Sequence, residues 1–238
     1  MNQNVEHARQ LELLTGGHIT LLGRILRSSN ETFLAQVSDE QGEAWAVYKP
    51  LAGERPLVDF PPGLYRRERA AFLLSEHLGW GFVPMTVIRA DGPLGEGSLQ
   101  WFVAGDLRQH YFTLYADAPR THPALARIAV FDYLANNTDR KSGHVLIGDD
   151  GRVWGIDHGL CFAADDKLRT VIWDFAGEAI PADQLGDVAS LAEEVPDNVA
   201  ELLDQDEADA LRRRARRLVR ERVLPGDPTG MHFPWPLV

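Results

Sequence analysis

The sequence predicts an α+β fold in which a small antiparallel sheet with one helix precedes a mainly helical part, and three observations carry this. Short β-prone runs separated by polar turns fill residues 19 to 49. Residues 131 to 162 read as a helix, a polar loop and a two-stranded hairpin with a carboxylate at each end. Beyond residue 183 the pattern is that of helices, ending in one with a clear apolar face.

Composition narrows the function classes. A chain of 238 residues suits one large domain or two small lobes and can bury a sizeable core. Its 24 Lys and Arg against 35 Asp and Glu leave a net charge of −11, which disfavours a nucleic-acid or anionic-membrane surface. The single cysteine, Cys161, excludes an internal disulfide, reads as a buried apolar side chain and fits a reducing compartment. Met1 to Gln10 lacks the apolar core of a signal peptide, and no apolar run reaches membrane-spanning length. A cytoplasmic chain without stable membrane insertion is therefore expected.

Three strands are expected first: Ile19 to Leu26, Thr32 to Val37 and Glu43 to Tyr48. Arg27-Ser28-Ser29-Asn30-Glu31 links the first two, and Asp39-Glu40-Gln41-Gly42 turns into the third. On that third strand Trp45, Val47 and Lys49 share one face, so an ammonium group ends an apolar stripe and asks for an anionic partner. A phosphate or a helix glutamate would serve, and a strand-end lysine reaching water is the plain alternative. Residues 51 to 64, with Pro56, Pro61 and Pro62, resist regular structure. A helix follows from Tyr65 to Leu78 with Gly79 as its stop, and Glu68 falls on the face shared by Leu64, Ala71, Phe72 and Ser75. Arg66, Arg67 and Arg69 make a local charge cluster the competing account of Glu68, and Glu76 is a second candidate acid.

Two more strands are expected at Met85 to Arg89 and Ser98 to Val103, followed by a stretch without strong period that includes a short helix near Tyr111. Pro123 opens a helix carrying Leu125, Ile128, Ala129, Asp132 and Tyr133. Then Val145-Leu146-Ile147 and Val153-Trp154-Gly155-Ile156 flank Gly148-Asp149-Asp150-Gly151, a hairpin signal. Asp139 precedes the first strand and Asp157 follows the second, so both carboxylates emerge at one end of the hairpin, where a hard divalent cation and a phosphate chain can sit. Residues 183 to 209 carry ten Asp and Glu, and residues 212 to 222 carry seven Arg. With Leu211, Ala215, Leu218 and Val219 on one face, the Arg-rich segment reads as an amphipathic helix packed on the body and paired with the acidic one. The tail, Pro225 to Val238, is expected to lie extended against the body.

Asp139-Arg140, the polar residue at 144, the Val-Leu-Ile strand and Ile156-Asp157-His158-Gly159 resemble the catalytic and metal-binding loops of the phosphatidylinositol 3- and 4-kinase-like branch of the protein kinase superfamily. The resemblance implies a two-lobed protein kinase-like fold: residues 1–104 as a nucleotide-covering lobe and residues 105–238 as the lobe with the catalytic and metal loops, in one kinase-like domain overall. It implies ATP and Mg²⁺ as cofactors and an unidentified hydroxyl-bearing acceptor, whether small molecule, lipid headgroup or protein. Asp139 is then placed at the attacking hydroxyl, and Asp157 and His144 at the metal, with His144 standing where the family has Asn. Arg140 either neutralises transferring charge or braces the loop. The resemblance pairs Lys49 with Glu68 at the phosphates, lays Ser28, Ser29 and Asn30 over them in place of a glycine-rich loop, and sets the backbone near Val103 against adenine. The departure at His144 and the missing glycine-rich loop keep a nucleotide-binding pseudokinase open as the alternative, together with a protein adenylyltransferase on the same fold.

Overall fold

The computed structural model describes residues 3–26 and 28–237. Arg27 of the first expected link, Met1 and Asn2 of the polar N-terminus and Val238 of the tail lie outside the described residues.

A five-stranded antiparallel sheet forms the first half of the chain: β1 (His18–Arg24), β2 (Phe33–Asp39), β3 (Gly42–Pro50), β4 (Thr86–Arg89) and β5 (Gly97–Trp101), in the order β1-β2-β3-β5-β4. The period-2 alternation of β3 decides which side chains go where. Ala46 and Tyr48 are fully buried on the core face, and the Tyr48 hydroxyl donates to the Gly95 carbonyl. Trp45, Val47 and Lys49 occupy the opposite, less buried face, as their spacing predicts. The expected boundaries hold to within a few residues, and the last expected strand stops at Trp101 rather than Val103.

Two helices cover this sheet. Helix α2 (Leu64–His77) matches its expected span, closes on Gly79 with a φ of 68°, and buries Ala70, Ala71, Phe72 and Leu74 against β4 and β5. Helix α1 (Gln3–Gly16) is an element the sequence does not announce, because Leu13 and Leu14 are its only buried apolar residues over four turns. Its C-terminal end is held instead by Arg89, whose Nη1 donates to the Leu14 and Gly17 carbonyls at 3.0 Å each.

The second half is mainly helical, with a smaller sheet of β6 (Gly105–His110), β7 (Val145–Gly148) and β8 (Val153–Gly155) in that order. Its helices are α3 (Tyr111–Asp117), α4 (His122–Ala135), α5 (Ala182–Glu193), the single turn α6 (Asp197–Ala200) and α7 (Gln205–Glu221). Strand β6 was not expected: its side chains are mostly exposed, so no apolar alternation marks it. The hairpin β7–β8 forms as predicted, with Ile147 opposite Val153, and Gly151 in the turn takes a φ of 77°. Among the described residues no helix is long and apolar enough to cross a membrane.

The Arg-rich helix α7 packs on α5 and α4 through Leu211, Ala215 and Leu218. The expected pairing of its arginines with the acidic segment is largely replaced by other partners. Arg214 donates to the Leu134 carbonyl at 2.8 Å and Arg216 to the Ala192 carbonyl at 2.7 Å, while Arg217 pairs with Glu221 one turn on. Among the described residues only Arg212 of α7 pairs with an acid of that segment, Asp209. Carbonyls win because α7 lies across the C-terminal ends of α4 and α5, where unpaired helix carbonyls collect. The acid that matters here, Glu207, caps α7 through the Asp204 N–H at 3.0 Å and forms a buried ion pair with Arg67 of α2.

That pair joins the two halves of the molecule. Truncating one partner strands a buried charge, so Arg67→Ala is expected to lower unfolding free energy by about 3–5 kcal/mol, and Arg67→Met combined with Glu207→Leu is expected to recover most of it. Urea midpoints of wild type, single and double variants measure both.

Candidate functional site

Helix α4 delivers the first part of the site. It ends at Asn136, whose φ of 49° places it in the left-handed region and whose amide donates to the Ala163 and Asp165 carbonyls. Asn137 follows; its Nδ2 donates to Asp132 Oδ1 at 3.1 Å and its Oδ1 accepts the Asp139 N–H at 3.0 Å. The chain thus reaches Asp139 with its backbone direction set by two consecutive asparagines.

Arg140 is fully buried. Its guanidinium takes Asp132 in a two-pronged pair, with Nε to Oδ2 and Nη2 to Oδ1 both at 2.9 Å. It donates also to the Ile156 carbonyl at 2.7 Å, and its Nη2 lies 2.8 Å from His158 Nε2. Burial pushes the His158 imidazole well below its ordinary pKa, so the ring is neutral and accepts this bond. These bonds tie the loop after α4 to the turn after β8, with the guanidinium in the interior.

Asp157 follows β8 with a φ of 59°, in the left-handed region that Asp enters more readily than most non-glycine residues. The turn brings Asp157 to Lys49. The Lys49 ammonium donates to Glu68 and, at 2.9 Å, to Asp157 Oδ1, although 108 positions separate Lys49 from Asp157. Glu68, itself buried, accepts the His158 N–H at 3.1 Å through its other oxygen. Burial by itself pushes the Asp157 carboxyl up; the charge and hydrogen bond of Lys49 outweigh it and hold the group far below the usual carboxylate range. Lys49 is in turn kept protonated by Asp157 and Glu68 against the cost of its own burial.

The charge-cluster alternative for Glu68 does not form. Arg67 turns to Glu207, Arg66 to the Glu201 carbonyl and Arg69 to the Thr86 carbonyl. Glu76 lies away from Lys49, 3.8 Å from His7.

Burial pushes His144 down to about 4, so its ring is neutral near pH 7. Nδ1 accepts the Lys141 N–H at 3.4 Å and Nε2 faces Asp157 Oδ2 at 3.3 Å. A neutral ring accepting at Nδ1 carries its proton on Nε2, the nitrogen nearer Asp157. His144 thus stands beside the Asp157 carboxylate. Asp139 is three-quarters buried and pushed above its ordinary value by that burial, with Lys141 at 2.9 Å opposing the shift.

A cleft gathers the expected residues: Ser28, Ser29, Asn30, Lys49, Glu68, Asp139 and Asp157 all line it. Ser28 is tied to Thr32 at 2.8 Å, and Asn30 Oδ1 accepts the Arg55 N–H at 2.9 Å, which leaves Ser29 as the exposed member of the loop. His144 and Val103 stand outside the cleft lining. Val103 is half-buried between β5 and β6, and among the described residues no backbone hydrogen bond involves it. The residues missed by sequence reasoning are Asp132, His158 and Glu54. A lone acid in the apolar run Phe131-Asp132-Tyr133-Leu134-Ala135 was the available signal for the first, since a buried charge requires a partner.

Because His144 folds as a neutral group, its stability share has a fixed sign. Between its ordinary value of 6.5 and its folded value of about 4 the unfolded chain binds the proton first, so stability falls as pH falls through that window. In urea titrations in chelator at pH 7 and near pH 4.5, His144→Asn is expected to lose less stability on acidification than wild type.

Comparison with known proteins agrees with this geometry. The model of the family described as phosphatidylinositol 3- and 4-kinase matches residues 64–214, which hold Glu68, Asp139 and Asp157. The chain is 42% identical over 272 aligned positions to Protein Rv2133c of Mycobacterium tuberculosis, covering 97% of this chain and 95% of that one. A structure of the Golgi casein kinase with Mn/ADP bound superposes with a TM-score of 0.57 at 13% identity, over 100% of this chain and 81% of that one. Hydra Fam20 with sugar superposes at 0.53 with 14% identity, over 93% and 90%. At such identities the two structures establish a protein kinase-like fold, and the family match, which spans more than half of the sequence, establishes that the chain belongs to the phosphatidylinositol 3- and 4-kinase family.

Proposed function

We propose that the chain is an ATP- and Mg²⁺-dependent kinase that phosphorylates a hydroxyl-bearing acceptor. The observation that carries this is the meeting of β3, α2 and the turn after β8 at one ammonium group, where Lys49 touches both Glu68 and Asp157. A lysine so held is a fixed positive charge, and phosphoryl transfer depends chiefly on positioning and on neutralising oxygens.

The carboxylates fit a Mg²⁺ ion. Among the described residues no group of three or more His, Cys, Asp or Glu forms a dedicated metal cage, and Mg²⁺ characteristically takes one or two carboxylates with the rest from phosphate and water. Asp157, ionised and half exposed, would hold it, and bound Mg²⁺ would neutralise phosphate charge. His144 keeps Asp157 oriented. Asp139 accepts the proton of the acceptor hydroxyl, Lys141 keeps it ionised, and Arg140 fixes the loop that carries it. Ser29 faces the phosphates, with Ser28 and Asn30 bracing its loop. The adenine edge meets the backbone at Val103, beside the Trp45–Phe102 edge-to-face pair at 5.7 Å, and the two lobes divide at residues 104–105. The net charge of −11 weighs against an anionic lipid surface as the source of the acceptor.

The second reading is a nucleotide-binding module without turnover, favoured by the Nε2 proton of His144 where the family's amide oxygen would face the metal.

Calorimetry with a non-hydrolysable ATP analogue is expected to show Mg²⁺-dependent binding that Asp157→Ala removes without loss of fold, and Asp139→Asn is expected to bind normally while turnover falls at least about a hundredfold. Binding without consumption of ATP by wild type selects the second reading. Label reaching product from the α- rather than the γ-phosphate selects adenylyl transfer. Unchanged turnover in Asp157→Ala sinks the proposal.

A further inference from the structure

Beside the catalytic cleft lies a second cavity, of about 290 Å³, walled by the segment between β3 and α2. Leu51, Leu57, Phe60, Pro61 and Leu64 line it, and Glu54 and Leu64 are walls of both cavities, so the two are neighbours. Its size lies at the lower end of the small-molecule range of roughly 300–1,000 Å³. We propose that this groove is the acceptor subsite of the kinase, and that the acceptor is a small amphiphile with a compact apolar body, a hydroxyl group and an anionic group; this rests on the kinase reading above.

Four observations support the assignment. The floor is built on the reacting end of the site: Phe60 and Leu64 form a separate apolar cluster with Leu160 and Ala163, immediately after the Asp157-His158-Gly159 turn. The rim is joined to the loop over the phosphates, since Asn30 Oδ1 accepts the Arg55 N–H at 2.9 Å and the Glu31 N–H donates to the Gly53 carbonyl at 2.9 Å. A Cβ on Gly53 would lie 2.7 Å from that of Glu31, so only glycine allows the two segments to touch. Prolines 56, 61 and 62 line the wall, which holds the groove open with little chain entropy to lose on binding.

Charge sets the class of ligand. The Glu54 carboxylate accepts the Gly63 and Tyr65 N–H groups at 2.7 and 3.0 Å, so its charge is engaged at the start of α2. The Arg55 guanidinium, exposed at the groove, makes no ion pair among the described residues. An anionic group on the acceptor meets Arg55, its apolar body covers Leu57, and its hydroxyl reaches the cleft. There the acceptor oxygen forms a bond to the γ-phosphorus, the bond from that phosphorus to the β–γ bridging oxygen breaks, ADP leaves, and the hydroxyl proton passes to Asp139.

The test compares 3-hydroxydecanoate, myo-inositol and phosphatidylinositol–phosphatidylcholine vesicles as acceptors of γ-labelled phosphate from Mg-ATP. Label is expected in 3-hydroxydecanoate, with its KM raised about tenfold or more in Leu57→Asp and in Arg55→Glu and the KM for ATP unchanged. In parallel, anilinonaphthalene sulfonate, an apolar ring system with one anionic group, is titrated by fluorescence. Its saturable binding is expected to weaken by a similar factor in both variants. Preference for inositol or the vesicles, or variants that change neither acceptor KM nor dye affinity, overturns the groove assignment. Loss of dye binding in the variants with no Mg-ATP binding by wild type places the failure in the kinase reading and overturns the acceptor role while leaving the groove a binding site.

Discussion

A buried guanidinium stands at the centre of this molecule. Arg140 has no exposed surface, and it contacts Asp132 on α4, the carbonyl of Ile156 beyond β8 and the ring of His158. A charge so deep is tolerable only with its partners in place, because desolvation of each ion costs several kcal/mol before any attraction returns it. The consequence is geometric. The loop carrying Asp139 and the turn carrying Asp157 belong to different elements, yet both are tied to one rigid, planar group, so the spacing of the two cleft carboxylates follows from the arginine between them.

Around that brace the site is a chain of charge-assisted contacts. Glu68 holds Lys49 with one oxygen and the His158 backbone with the other, and so links the sheet to the turn after β8. Asp157 accepts from Lys49 at Oδ1, and its Oδ2 lies 3.3 Å from the His144 ring. Opposed charges within a partly buried cleft set the protonation states: burial disfavours ionisation of Asp139, while the lysine at Asp157 keeps that carboxylate ionised. Two carboxylates at one site are thereby pushed in opposite directions.

The periphery serves the same end. The tail, expected to lie extended, bends at residues 228–230, where Asp227 accepts the Thr229 and His232 N–H groups; its Leu237 carbonyl accepts the Ser142 N–H at 2.8 Å while the His232 carbonyl accepts that of Thr170 at 3.2 Å. Thr170 in turn lies beside Arg140 through an isolated parallel bridge. The loop carrying Asp139 is thus packed from both sides, by Asp132 within and by His232 and Leu237 of the tail without.

How much of this was legible beforehand depended on the range of the interaction. The strands β1 to β5, α2 with its glycine stop, the β7–β8 hairpin and the convergence of Asp139 and Asp157 at one cleft were all open to local reasoning, since alternation, turn chemistry and a tight hairpin act over a few residues. Strand β6 and helix α1 escaped because an exposed strand and a helix with two apolar contacts carry no period. The contacts of Arg140 and His144 escaped for another reason: nothing along the chain states whether a guanidinium points inward or which imidazole nitrogen holds the proton. The sequence by itself determined which chemical groups exist and which short segments present them. The tertiary structure alone decided that Lys49 meets Asp157 across 108 positions, that Arg67 spends its charge on Glu207 and leaves Glu68 to the lysine, and that Arg140 is interior. Those outcomes turn on burial and pairing between distant segments, where the cost of an unpaired charge, and no local propensity, selects the partner.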